Sequence, residues 1–101
     1  MNRQEILEAA ASCVNGDRDK QYGNPEDSFR TIAGLWNVYL ERAKLVYDPM
    51  VHSGMIGAQD VAAMLALVKI ARISSGRRHA DNWIDLAGYA ACGGEIDGKN
   101  G

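Results

Sequence analysis

Near the N-terminus, apolar residues fall at Ile6, Leu7, Ala10, Cys13 and Val14, the i, i+1, i+4, i+7, i+8 stripe of an amphipathic helix. Asn2 precedes the stripe as a good N-cap, and Gly16 follows it as a stop. A second stripe, Phe29, Ile32, Ala33, Trp36, Leu40 and Ala43, follows the strongest start signal in the chain. There Asn24 serves as cap and Pro25 takes the first helical position, with Glu26 and Asp27 beside the positive end of the dipole. This helix is predicted to run to about Leu45. A third, near Ala58 to Ser74, is apolar almost all round through Val61, Met64, Leu65, Leu67, Val68, Ile70 and Ile73, which marks the central helix of a bundle. Gly76 ends it. A fourth begins near Ala80 or Asp81, with Trp83, Ile84, Ala87, Ala90 and Ala91 expected to point inward, and is expected to end at Gly93-Gly94.

No run alternates with a period of two, so the pattern predicts an all-α bundle of about four helices. Residues 1–94 form its single domain, and 95–101, with little apolar content, are expected as a flexible tail. Two features point beyond one chain. The segment from Val46 to Gly57 contains Pro49 and Gly54 yet also Tyr47, Met50, Val51, Met55 and Ile56, so the rest of the domain or a second chain is expected to cover it. The third helix asks for more neighbours than a small monomer supplies, which predicts a homo-oligomer.

At 101 residues and 47% apolar composition the chain makes one domain with a thin core. Its uninterrupted apolar runs are far shorter than the roughly twenty residues a bilayer needs, and Met1 to Arg3 opens no signal pattern, so no membrane role and a cytoplasmic location are expected. A net charge of −2 argues against a nucleic-acid polymer as partner, because backbone affinity comes from massed Lys and Arg. Cys13 and Cys92 lie among alanines without a CxxC or Cys/His neighbour, and read as small buried hydrophobes.

Any anionic ligand must then be small and met locally. Arg18, Lys20, Tyr22, Gly23 and Asn24 precede the second helix, whose free N–H groups attract anions, and Tyr22 offers a ring for stacking. Arg77, Arg78 and His79 form a second basic turn, in which two guanidinium groups can fork onto phosphate oxygens. Cations at a helix C-terminus are also favoured by the dipole alone. Lys69 and Arg72 stand on the greasy third helix, and Asp81 and Asp85 at i, i+4 on the fourth, beside Gly88 and Tyr89. A buried ammonium needs a partner, so Lys69 is expected to pair with Asp85 or Asp60. Gly88 inside a helix hints at close approach by a neighbour or a ligand. A ligand-facing cluster and an ion-paired seam both satisfy this pattern.

Taken together, Tyr22-Gly23-x-Pro25 with Phe29, Ile32-Ala33-x-x-Trp36, Tyr39-Leu40, Asp60-Val61-Ala62-x-Met64, Lys69-x-x-Arg72 and Asp81-Asn82-Trp83-x-Asp85-x-x-Gly88-Tyr89 resemble a family of small phage-encoded domains of unknown function. The resemblance covers roughly residues 5 to 94 and implies the cytoplasm of an infected bacterial host. In helix order the chain is also similar to all-α NTP pyrophosphatases of the MazG type, which bind magnesium through ExxE and ExxD motifs on consecutive helices. That likeness sets Asp60-x-x-Ala63 at the first motif and Asn82-x-x-Asp85 at the second, with two of the four carboxylates missing. Glu5-x-x-Glu8 spells ExxE but lies too early in the helix order, and reads as a solvated face.

The expected function is nucleotide binding without cleavage. Phages encode small oligomeric proteins that sequester cyclic nucleotide or cyclic ADP-ribose-type signals of bacterial defence, and this chain suits such a sponge. Arg18, Lys20, Arg77 and Arg78 would meet phosphates, Tyr22 and Trp83 would stack on a base, and Asp81, Asn82 and Asp85 would bond ribose or base edges, with no cofactor. A divergent magnesium-dependent NTP pyrophosphohydrolase is the alternative, with Asp60, Asp81 and Asp85 as ligands and Lys69 neutralising phosphate. A third reading is a structural helical adaptor whose conspicuous residues are caps and ion pairs.

Overall fold

A computed structural model of the chain describes residues 1–15, 25–45, 50 and 54–100. Among these residues it is all-helical, with α1 Arg3–Asn15, α2 Pro25–Arg42, α3 Ala58–Ser74 and α4 Ala80–Asn100 and no strands. No helix is long and apolar enough to cross a membrane among the described residues.

Local signals fix most of the boundaries. The Asn2 side chain accepts from the Glu5 N–H at 2.8 Å while the Glu5 carboxylate accepts from the Asn2 N–H at 3.4 Å, the reciprocal pair that starts α1. Arg30 reaches back one turn to Glu26 at 2.9 Å on the exposed face of α2. That helix closes with the Leu45 N–H on the Leu40 carbonyl at 2.8 Å and Lys44 at φ 60°, a left-handed cap usually given to glycine. Gly76, at φ 82°, stops α3 as expected.

The predicted end of α4 is not there. Neither Gly93 nor Gly94 adopts a positive φ, and the helix runs to Asn100, so 95–100, expected as a flexible tail, are helical. A glycine inside a helix costs only about 1 kcal/mol relative to alanine. Gly93 has a reason to be there, since a Cβ at that position would come within 3.2 Å of the Ala62 methyl. The close approach expected at Gly88 therefore occurs at Gly93, because a Cβ on Gly88 would meet nothing within 4 Å.

The central position of α3 agrees with its pattern: it packs against α4 on one side and α2 on the other. Both pairs are antiparallel. Trp36 and Tyr39 of α2 meet Met64 and Asp60 of α3 in reverse order, and Asp85 and Gly93 of α4 meet Lys69 and Ala62. The Trp36 indole N–H donates to the Met64 carbonyl at 2.8 Å, which places the ring at the α2–α3 seam and meets the hydrogen-bonding need of its polar edge.

The rotation of α4 departs from expectation. Asn82, buried to 1% exposure, leads its inward face, with Leu86, Tyr89, Gly93 and Ile96 half-buried behind it. Trp83, Ile84, Ala87, Ala90 and Ala91 are exposed. The same holds elsewhere. The stripe of α1, with Ile6, Leu7, Cys13 and Val14, is exposed, as are Phe29, Met50, Met55 and Ile56. Cys13 and Cys92 are free and exposed rather than buried. Among the described residues, the buried apolar side chains are two alanines, Ala62 and Ala71. Among the described residues, α1 and α4 therefore carry exposed apolar faces.

Candidate functional site

The turn from α3 into α4 is built by hydroxyls and a glycine. Ser74 Oγ donates to the Ala71 carbonyl at 2.7 Å and Ser75 Oγ to the Arg72 carbonyl at 2.6 Å, closing off acceptors that the helix end leaves open. Gly76 reverses the chain, and Arg77, Arg78 and His79 then lead into the first turn of α4. His79 Nδ1 stands 3.8 Å from Asp81 Oδ2.

Ile73, Gly76, Arg77, Arg78, His79, Ala80, Asn82 and Trp83 line an open cleft of about 580 Å³. That size lies within the range of small-molecule sites. Its walls carry two guanidinium groups, an imidazole and an indole 61% exposed. The N-terminal turn of α4 adds backbone N–H groups and the positive end of the dipole.

Asn82 distinguishes this cleft from a merely basic turn. The side chain is the largest fully buried one among the described residues, and among those residues its Nδ2 has no hydrogen-bond partner. A buried donor without an acceptor forfeits about 1–3 kcal/mol, and such groups in folded proteins ask for an explanation. Asn82 also lines the cleft.

The other predicted residues divide. Lys69 and Asp85 pair at 2.9 Å, with the ammonium largely covered and the carboxylate half exposed, so the seam between α3 and α4 is an ion pair as expected. Arg72 is half-buried on α3, while Asp81 is exposed and lies by His79. Tyr89 lines a separate crevice with Gln59, Ala62, Ala66 and Gly93, two turns along α4 from Asn82, and does not join the cleft. Arg18, Lys20, Tyr22, Gly23 and Asn24 lie outside the described residues.

Asp60 has a structural role. One carboxylate oxygen accepts from the Tyr39 hydroxyl at 2.6 Å and the other from the Gly57 N–H at 2.8 Å, so the residue starts α3 and ties it to α2. The Tyr39 hydroxyl and the Gly57 N–H hold its pKa below the usual carboxylate value against the opposing effect of burial. The same hydrogen bond, burial and the nearby negative charge push Tyr39 up to about 12. Asp60, Asp81 and Asp85 do not converge: among the described residues no three His, Cys, Asp or Glu side chains cluster to hold a metal. Sequence reasoning named Asn82 for the bonds its amide could make. It missed that the group is buried and unpartnered, which no local pattern encodes.

A family model described as a domain of unknown function, DUF6378, matches residues 5–97. Two curated relatives are phage proteins. The Gene 55 protein of Mycobacterium phage D29 is 38% identical over 89 residues, 88% of this chain and 51% of its own length. The Gene 55 protein of Mycobacterium phage L5 is 35% identical over 85 residues, 84% of this chain and 47% of its own. The chain thus spans about half the length of the curated relatives it matches. No solved structure matches it.

Proposed function

We propose, from the premise that the chain belongs to the DUF6378 family with its phage relatives, that it binds a small phosphorylated nucleotide in the α3–α4 cleft and releases it unchanged. The unpartnered amide of Asn82 carries this reading. Its N–H groups would donate to a carbonyl on the base or to a phosphate oxygen. Arg77 and Arg78 would fork onto phosphate, and the open indole of Trp83 would stack on the base. In a phage this amounts to a sponge that sequesters a cyclic nucleotide or cyclic ADP-ribose-type immune signal, working as an oligomer.

Holding is favoured over hydrolysis because of Asp60. A MazG-like magnesium-dependent pyrophosphohydrolase would need it beside further carboxylates, whereas here it ties the start of α3 to Tyr39 and Gly57 and no three His, Cys, Asp or Glu side chains cluster among the described residues. Asp81 and Asp85 alone would supply too few oxygens to neutralise and orient a triphosphate-bound magnesium.

The test is recovery of ligand. The protein is incubated with NTPs, cyclic dinucleotides and cyclic ADP-ribose isomers, with and without magnesium, and then heat-denatured. Stoichiometric release of one intact nucleotide is the expected result. Pyrophosphate formed over many turnovers would replace the sponge by the hydrolase. If no compound is retained or raises the melting temperature, the nucleotide reading fails in favour of a structural adaptor, because tight binding to the native state must stabilise it.

A further inference from the structure

We infer that the phosphorylated ligand enters the cleft together with a proton, which His79 takes up, so that retention of the ligand is regulated by pH. This rests on the reading of the cleft as a nucleotide site. His79 directly precedes α4, and its carbonyl accepts the Asn82 N–H at 3.1 Å, which fixes the residue at the entry to the helix. Its partly exposed imidazole lines the cleft with Arg77 and Arg78. Nδ1 lies 3.8 Å from Asp81 Oδ2, too far for a good hydrogen bond and near enough for the carboxylate to favour an imidazolium.

Histidine is the side chain whose charge ordinarily changes between pH 5 and 8. The fixed charges at this end of the bundle act on it in opposite directions. Arg77 and Arg78 on the turn, the positive end of the α4 dipole, and Arg72, half-buried on the last turn of α3, all oppose a further cation. Asp81 favours one, while Lys69 and Asp85, further along the seam, pair with each other. A phosphate seated on the two guanidinium groups adds negative charge to the side of Asp81, and the protonated ring then becomes one more charged donor to the phosphate oxygens.

Linkage sets the direction of the pH dependence. A ligand that favours the proton is favoured by it to the same factor. The ligated cleft holds more protons than the empty one, so affinity is highest at the acid end of the histidine range and falls as pH rises through it. A change of one unit in the titration of a single group corresponds to about a tenfold change in affinity.

The experiment is isothermal titration calorimetry on the full chain between about pH 5.5 and 8, in buffers of different ionisation enthalpy, which counts the protons taken up. The probes are a cyclic dinucleotide and a cyclic ADP-ribose isomer, because each of their phosphate groups keeps a single negative charge over this range. Affinity is expected to fall by about tenfold as pH rises, with uptake of up to one proton per ligand. His79→Gln is expected to flatten the profile and abolish the uptake. His52→Gln, at the other histidine of the chain, is expected to keep both. Imidazole NMR signals of the unsubstituted chain give a second measurement that needs no variant: His79 is expected to stay protonated to higher pH with ligand than without. Binding without proton uptake, uptake that His79→Gln leaves intact, or a His79 ring that titrates alike with and without ligand overturns the proposal and leaves the nucleotide reading standing. Failure of both probes to bind at any pH removes the sponge reading and this proposal together.

Discussion

Replacing Asn82 with leucine is expected to raise the melting temperature of the unliganded protein while abolishing nucleotide binding. The amide is buried and its Nδ2 has no acceptor, so an apolar side chain of similar volume removes a desolvation cost of about 1–3 kcal/mol. For a chain of this size each kcal/mol moves the melting temperature by roughly 4–8 °C, which thermal melts resolve easily. The two effects have opposite signs because a residue kept for a ligand is retained at the expense of stability. A purely structural asparagine would behave differently: Asn82→Leu would lower the melting temperature, and the site would lose its main support.

Asp60→Ala is expected to have the largest cost to folding, about 2–4 kcal/mol. It leaves the Tyr39 hydroxyl and the Gly57 N–H without their charged acceptor, and hydrogen bonds to charged groups contribute about 1.5–3 kcal/mol each, not fully additively. The pH profile carries the same signature at both ends. The folded pKa of Asp60 lies below its unfolded value, so its stabilisation is complete above about pH 4 and is lost as pH falls through the lowered value. Tyr39 is raised to about 12, so its contribution is complete below about pH 10 and is lost as pH climbs toward 12. Thermal melts across pH should show both losses in the wild type. In Tyr39→Phe the step between pH 10 and 12 should shrink and the acid step should move toward higher pH. A Tyr39→Phe profile that superimposes on the wild type would rule out this pairing.

Helix positions were legible wherever the deciding chemistry is local. Asn2, Pro25 and Gly76 each act within one turn, and they mark the starts of α1 and α2 and the end of α3. The rotation of α4 is not legible in its apolar stripe, because Trp83, Ile84, Ala87, Ala90 and Ala91 are exposed and the inward face is led by a polar residue, Asn82. The needed constraint was already present in Lys69. Once a covered ammonium must find Asp85, α4 is turned so that Asn82 and Tyr89, three residues before and four after, also face α3. Asp60 was half legible. An acid three residues after the N-cap of a helix reaches back to the cap N–H, which would have recruited it for structure, whereas its bond to Tyr39, 21 residues away, depends on tertiary packing that no local pattern shows.

The phage family and the all-helical architecture place the protein in a broad class; its chemistry rests on whether the buried amide of Asn82 meets a ligand. The most direct measurement is a ¹H–¹⁵N NMR titration that follows the Asn82 side-chain amide and the Trp83 indole signals as ATP, a cyclic dinucleotide and a cyclic ADP-ribose isomer are added in turn. At least one of them is expected to shift both signals together and saturably, with neither signal moving for inorganic phosphate to the same extent. If every nucleotide leaves the Asn82 amide where it was, the cleft is not a nucleotide site.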